Sequence, residues 1–254
     1  MNSAEKQQIY TFLEKAAYTV YGMPPPGFGE TPLFADDPEA AVASVPLEAS
    51  PPAETASLAH ETIDDIAADI RGCARCRLCE TRANTVPGIG PAAPCVLVVG
   101  EAPGADEDAK GEPFVGRAGQ LLDKMLASIA LSRKTNCFIA NTVKCRPPQN
   151  RDPLLDEEAL CAPFLSRQIT ALKPPLILAV GRVAAQKMLN TVDGIGRLRG
   201  RFFDYNGIPF MATYHPSALL RDETLKRPAW EDLKAFRHRL QELVPSYAQK
   251  NGGF

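Results

Sequence analysis

The sequence predicts an α/β domain of three layers, α/β/α, around a central four-stranded parallel sheet. Two observations carry that expectation. After residue 60, short runs rich in Val and Ile alternate with amphipathic segments, and the runs are apolar at successive positions. A strand apolar on both faces needs cover on both sides, which is the habit of parallel sheets. A third observation follows from these two. Three segments dense in polar residues come directly after apolar runs, where open parallel sheets hold their ligand crevice.

Four runs read as strands: CVLVV (95–99), CFIA (137–140), LILAV (176–180) and PFMATY (209–214). Four segments carry helical periodicity: GQLLDKMLASIAL (119–131), DEEALCAPFLSRQITAL (156–172), RVAAQKML (182–189) and AWEDLKAFRHRLQEL (229–243). Ahead of them, Ile9, Phe12, Leu13, Ala16 and Ala17 fall at helical spacing, predicting a short amphipathic helix within residues 1–22. It reads either as a docking peptide for a protein partner or as a frayed N-terminal helix. Residues 23–60 hold eight of the 23 prolines, many alanines and acids, and little to bury, so they read as a disordered linker. The folded domain takes residues 61–247.

Seven cysteines are an odd number, and MNSAEKQQIY lacks a basic stretch followed by an apolar one. The expected setting is a reducing cytoplasm, where thiols serve as core residues, ligands or nucleophiles. No apolar run reaches the length of a membrane span. The net charge of −2 is uneven: residues 1–60 hold two basic and eight acidic side chains, the rest 26 basic and 22 acidic. A mildly basic body permits a nucleic-acid partner without requiring one.

GCARCRLCET puts Cys73, Cys76 and Cys79 at successive i, i+3 spacings. A CxxC turn can point two sulfurs at one metal. Joined by Cys145 and Cys161, which bracket a loop with three prolines, it makes a four-thiolate set suited to zinc or an iron–sulfur cluster. The competing reading makes Cys161 a core thiol on the apolar face of its helix. Cys79 is a spare, or a ligand in place of Cys73. Cys95 and Cys137 lie in strands and read as core thiols.

GEAPGADEDAKGEPFVGRAG (100–119) gathers Glu101, Asp106, Glu107 and Asp108 in a glycine-rich loop after the first strand. It reads as a solvated acidic loop or as one wall of a cleft. Phe114 is a core plug or a flat surface for a planar ligand. Asn141 ends the second strand and caps a loop or reads an amide or imide edge. His215 opens HPSALLR and is placed to donate a hydrogen bond to developing negative charge. Leu219, Leu220 and Arg221 read as loop packing or as an exposed wedge with a phosphate-binding cation. His60 and His238 read as surface residues.

Together, CARC, GEAPGADED, EPFVGRAG, NTVKCRPPQNRDP, the Cys145–Cys161 spacing and HPSALLR resemble the family 4, iron–sulfur uracil-DNA glycosylases over residues 65–245. The resemblance implies the uracil-DNA glycosylase-like fold and a monomer acting on uracil-containing DNA. It implies a structural [4Fe–4S] cluster on Cys73, Cys76, Cys145 and Cys161. Phe114 would stack on the flipped base, Asn141 would bond its edge and reject cytosine, and the Ala102 backbone would touch it. His215 would donate to uracil O2. Glu101 or Glu107 would handle the water or the cationic sugar. Ser217, Leu219, Leu220 and Arg221 would meet DNA. One related branch captures the sugar covalently with a histidine in a long basic insertion; KCRPPQNRDP has neither, which favours hydrolysis. Two rivals stand beside this reading: a glycosylase for another deaminated base, and a non-catalytic metal-bearing module that binds nucleic acid.

Overall fold

The computed structural model describes residues 61–247. The predicted N-terminal helix (1–22), the linker (23–60) and His60 lie outside the described residues.

Within them, five strands form one sheet: β1 (Val96–Gly100), β2 (Cys137–Asn141), β3 (Ile177–Val180), β4 (Phe202–Tyr205) and β5 (Ile208–Thr213). The spatial order is β2-β1-β3-β5-β4. The four predicted strands are parallel, as expected. The count of four is corrected by β4, which pairs antiparallel with β5. Its turn is Asn206–Gly207, with φ of 52° and 85°, the left-handed pair that a tight hairpin needs. On the opposite edge, Ile89 exchanges both backbone bonds with Ile139 of β2, at 2.9 and 2.8 Å, and so blunts that edge.

The helices are α1 (Ile63–Arg71), α2 (Ala105–Lys110), α3 (Arg117–Ala127), α4 (Leu155–Leu172), α5 (Arg182–Leu189), α6 (Ile195–Leu198), α7 (Pro216–Arg221) and α8 (Lys226–Leu243). Alternate strand residues face opposite layers. Val96, Val98, Leu178 and Met211 pack on Leu122 and Leu126 of α3 and on Leu233, Phe236 and Leu240 of α8. Leu97, Val99, Ile177 and Phe210 pack on Leu165 and Ile169 of α4 and on Ala184 and Met188 of α5. This is the predicted three-layer architecture.

A smaller cluster stands apart from both layers. Ile66 and Ile70 of α1 meet Leu78, Val143, Cys145, Cys161 and Phe164. A reciprocal cap between Thr62 and Asp65 starts α1. HPSALLR is helical rather than an exposed loop: α7 covers most of it, and Leu219 belongs to the main core.

Candidate active site and cysteine centre

The carboxyl ends of β1, β2, β3 and β5 open into a cleft of about 640 Å³. Glu101, Ala102, Glu107, Phe114, Asn141, His215, Ser217 and Arg221 all line it, so segments distant in sequence converge as the strand order requires.

Glycines let these groups approach. A Cβ on Gly100 would lie 2.4 Å from Asn141 Oδ1 and 2.6 Å from the Phe114 ring. Only a bare backbone at the end of β1 leaves room for both side chains. Phe114 itself is 7% exposed and sits at φ 54°, a strained left-handed conformation for an aromatic residue. Its loop is held from two sides. Glu107 Oε1 accepts the N–H groups of Val115 and Gly116 at 2.9 and 3.1 Å, and Oε2 accepts that of Gly104 at 3.1 Å. Behind the loop, Arg133 donates to the carbonyls of Pro113 and Phe114 at 2.7 and 2.9 Å. Glu107 is therefore committed to the backbone that presents Phe114. Asp108 is likewise occupied, accepting the N–H groups of Ala83 and Asn84.

Glu101 differs. It is half-buried on the cleft wall, and its carboxyl is pushed up to about 7, first by burial and then by Asp152, with Arg182 opposing. Asn141 is 2% exposed, and its Oδ1 is a buried acceptor with no hydrogen-bond partner. Such an atom costs stability unless something arrives to satisfy it.

His215 caps α7, and its Nδ1 accepts the Ser217 N–H at 3.1 Å. A nitrogen that accepts carries no proton. The Ser217 hydroxyl, 2.7 Å from the same nitrogen, must then also donate, and the imidazole proton sits on Nε2. Burial, helped by Arg221, lowers the ring to about 4, so it is neutral at pH 7. The Phe114 and His215 rings lie 5.6 Å apart at 33°. Gly181, at φ 103°, brings the end of β3 to within a would-be Cβ contact of 3.1 Å to His215.

On α7, Leu220 is 42% exposed whereas Leu219 is 2% exposed. Only Leu220 is presented to an incoming molecule. Sequence reasoning missed Arg151, Asp152 and Arg182, which also line the cleft. Arg151 and Asp152 lie in the segment NTVKCRPPQNRDP, whose match as a whole gives neither of them a role, and Arg182 starts α5 with no motif to mark it.

Cys73, Cys76, Cys145 and Cys161 surround one small apolar cavity with Arg82 and Lys144, and Cys79 is outside it. That separates Cys79 from Cys73 as the sequence could not. Arg82 donates to Cys145 Sγ at 3.1 Å and to the Cys73 carbonyl at 2.7 Å. The Lys144 N–H points at Cys161 Sγ at 3.3 Å. Burial pushes the Cys145 thiol up to about 11 and also raises Cys76 and Cys161. Among the described residues, no three His, Cys, Asp or Glu side chains converge tightly enough for a single ion. A cluster of several irons spreads its thiolates wider than one ion does. Four sulfurs from three segments, with N–H donors aimed at two of them, fit such a cluster.

Comparison with known proteins agrees with this geometry. Residues 87–234 match the family model of the uracil DNA glycosylase superfamily. The chain is 43% identical over 182 residues to the type-4 uracil-DNA glycosylase of Archaeoglobus fulgidus, covering 68% of this chain and 91% of that protein. It is 39% identical to the type-4 uracil-DNA glycosylase of Thermotoga maritima, covering 76% of this chain and 98% of that protein. The type-5 uracil-DNA glycosylase of Pyrobaculum aerophilum is more distant, at 30% identity over 61% of this chain and 83% of that protein.

Proposed function

The chain belongs to the uracil DNA glycosylase superfamily and is of its type-4 kind, and we propose that it flips uracil out of DNA and hydrolyses the N-glycosidic bond, leaving an abasic site. Asn141 carries this reading. Its unpaired Oδ1 needs a donor, and its amide nitrogen can donate. Uracil offers that pair on one edge: N3–H as donor and O4 as acceptor. Cytosine offers the reverse, an acceptor at N3 and an amino donor at C4. An amide wedged against Gly100 and Phe114 leaves cytosine's edge mismatched.

Base release follows from the groups that line the cleft. A uracil within a duplex is out of reach, so it is extruded into the cleft. Phe114 offers its face for stacking, pinned by Glu107 and Arg133. As the C1′–N1 bond breaks, its electron pair passes to the base and charge builds on O2. Neutral His215 donates from Nε2 to that oxygen without having to lose a positive charge. Water adds its oxygen to C1′ of the cationic sugar, and the proton it loses ends on the uracil anion, so that the base departs neutral. Glu101 is the carboxylate free to direct the water or face the sugar cation, since Glu107 is taken up by three N–H groups. The abasic product and uracil then leave. Ser217 and Arg221 line the cleft and would meet DNA there, with Leu220, exposed on the same helix, the apolar wedge and Arg221 the phosphate contact.

Cys73, Cys76, Cys145 and Cys161 would hold a [4Fe–4S] cluster. When bound, it supplies metal–thiolate bonds that join the segment after α1, the segment after β2 and α4. Hydrolysis transfers no electron, so its part is structural. The reading carries with it a reducing cytoplasm and a monomer. No helix among the described residues is long and apolar enough to cross a membrane.

Purified protein assayed on paired uracil- and cytosine-containing oligonucleotides tests the reading. The wild type releases uracil alone. Asn141→Asp loses activity or loses the preference by ~100-fold or more. Unchanged activity and selectivity in Asn141→Asp would overturn the role given to this residue. A wild type that leaves uracil in place, yet releases a different base from a panel of lesions, would move the activity to that base.

A further inference from the structure

Lys144 lines the cysteine cavity and carries its side chain toward the cleft. It is 1% exposed. Its Nζ donates to the Asn141 backbone carbonyl at 2.6 Å and to Gln168 Oε1 at 2.7 Å. Gln168 is itself fully buried, and its amide nitrogen donates to the Pro87 carbonyl at 2.7 Å. At its other end, the Lys144 backbone N–H meets Cys161 Sγ at 3.3 Å, and its neighbour in the chain is Cys145. One residue thus touches both the sulfur set and the segment that carries the base-reading amide.

A buried ammonium is costly unless it is paired. The hydrogen-bond partners of Lys144 Nζ are two neutral carbonyl oxygens. Removing the ammonium alone leaves Gln168 Oε1 and the Asn141 carbonyl without this donor, so its loss loosens the acceptors it ties together. The ammonium does something a methyl group cannot: it holds the last carbonyl of β2 in one place. Asn141 Oδ1 stands one residue's reach from that carbonyl and has no bond of its own to hold it. Gln168 cannot turn away from Lys144 without releasing Pro87.

We propose that Lys144 is a positioning residue, which fixes Asn141 against the cysteine centre so that the amide reads the base in one orientation. This rests on the uracil-excision reading and deepens it. Loss of the ammonium then costs base recognition rather than the hold on DNA.

The test compares wild type, Lys144→Met, Asn141→Ala and the double variant. Four quantities are read: iron content, melting temperature, affinity for abasic oligonucleotide, and kcat/KM on a uracil oligonucleotide. Lys144→Met should keep its iron and bind abasic DNA within about twofold of wild type, while kcat/KM falls ~10- to 100-fold, the usual scale for a misplaced binding group. The double variant should be no worse than Asn141→Ala, because both changes remove the same interaction. Losses that add, or a kcat/KM equal to wild type, would overturn the proposal and leave uracil excision standing. A wild type without uracil release would remove both. If Lys144→Met does not fold, Lys144→Gln carries the comparison: it keeps a polar group in the same place but is one atom shorter and draws back from the Asn141 carbonyl, and an unchanged kcat/KM there overturns the proposal.

Discussion

The strand-end cleft and the cysteine lobe treat polar atoms in opposite ways. In the cleft, groups are held short of satisfaction: Asn141 Oδ1 is unpaired, Glu101 is charged only at the cost of desolvation, and His215 keeps a proton aimed outward. In the lobe, donors are already turned toward the sulfurs, with Arg82 on Cys145 and the Lys144 N–H on Cys161. The first pattern stores unfavourable free energy that a ligand can release. The second has its partners inside the chain and suits a permanent resident. Unsatisfied polar groups thus mark where a molecule passes through, and satisfied ones where something stays.

The contrast also divides the two carboxylates of the GEAPGADED segment. Glu101 follows the cleft pattern and Glu107 the lobe pattern. Glu101→Gln should cut kcat ~100- to 1000-fold, the usual scale for a lost catalytic carboxylate, and should abolish the rise of rate with pH through about 7. Glu107→Gln should cost ~10-fold, mainly through a loosened Phe114 loop, and keep that pH dependence. Parallel pH–rate profiles of the two variants check this, and a lost pH limb in Glu107→Gln would reverse the assignment.

In the lobe, Cys145→Ser should lower the iron content and bring the melting temperature down by roughly 10 °C, since a lost metal is among the few changes that cost more than ~4 kcal/mol in a domain of this size. Iron analysis and calorimetry read it. A full iron complement would exclude Cys145 as a ligand.

Leu219 and Leu220 sharpen the same division within a single helix. Leu219→Ala should destabilise by ~2–4 kcal/mol through the core it fills. Leu220→Ala should leave the melting temperature within about 2 °C and slow excision from duplex DNA more than from single strands, where less unstacking is needed. Equal slowing on both substrates would remove Leu220 as the wedge.

The smallest effect concerns the stability stored at Glu101. Its folded pKa is raised from 4.5 to about 7, so its contribution to stability is full below about 4.5 and is lost as pH rises through about 7. Solvent at the open cleft screens part of this cost. Glu101→Gln should therefore raise the melting temperature by about 2–4 °C at pH 8 and leave it unchanged at pH 4. A gain at pH 4 as large as at pH 8 would mean that charge is not the cause.

How legible these features were depended on whether the chemistry was local. The four parallel strands were readable from continuous Val, Ile and Leu runs, and the cleft from the motifs that follow them. β4 was missed although Tyr205-Asn206-Gly207-Ile208 carries a hairpin turn, because its exposed, alternating residues lack the apolar run used to find the others. Glu107 looked as available as Glu101, since sequence shows a carboxylate but not the three N–H groups around it. Leu219 and Leu220 are adjacent and chemically identical, and only the helix phase of α7 tells them apart. Arg82 and Lys144 carry no signal of their own in the sequence, because their partners are far away in the chain or chemically unremarkable, such as a backbone carbonyl.

The central claim is that the cleft breaks a glycosidic bond by stabilising charge on the leaving base. It is tested most directly by uracil release from a labelled oligonucleotide by wild type and His215→Ala, with iron content and melting temperature matched. The account predicts abasic product from the wild type and ~100- to 1000-fold less kcat in the variant, the loss usual for one donor to a developing anion. Equal rates in the two proteins, or no product from a folded, iron-loaded wild type, would contradict it.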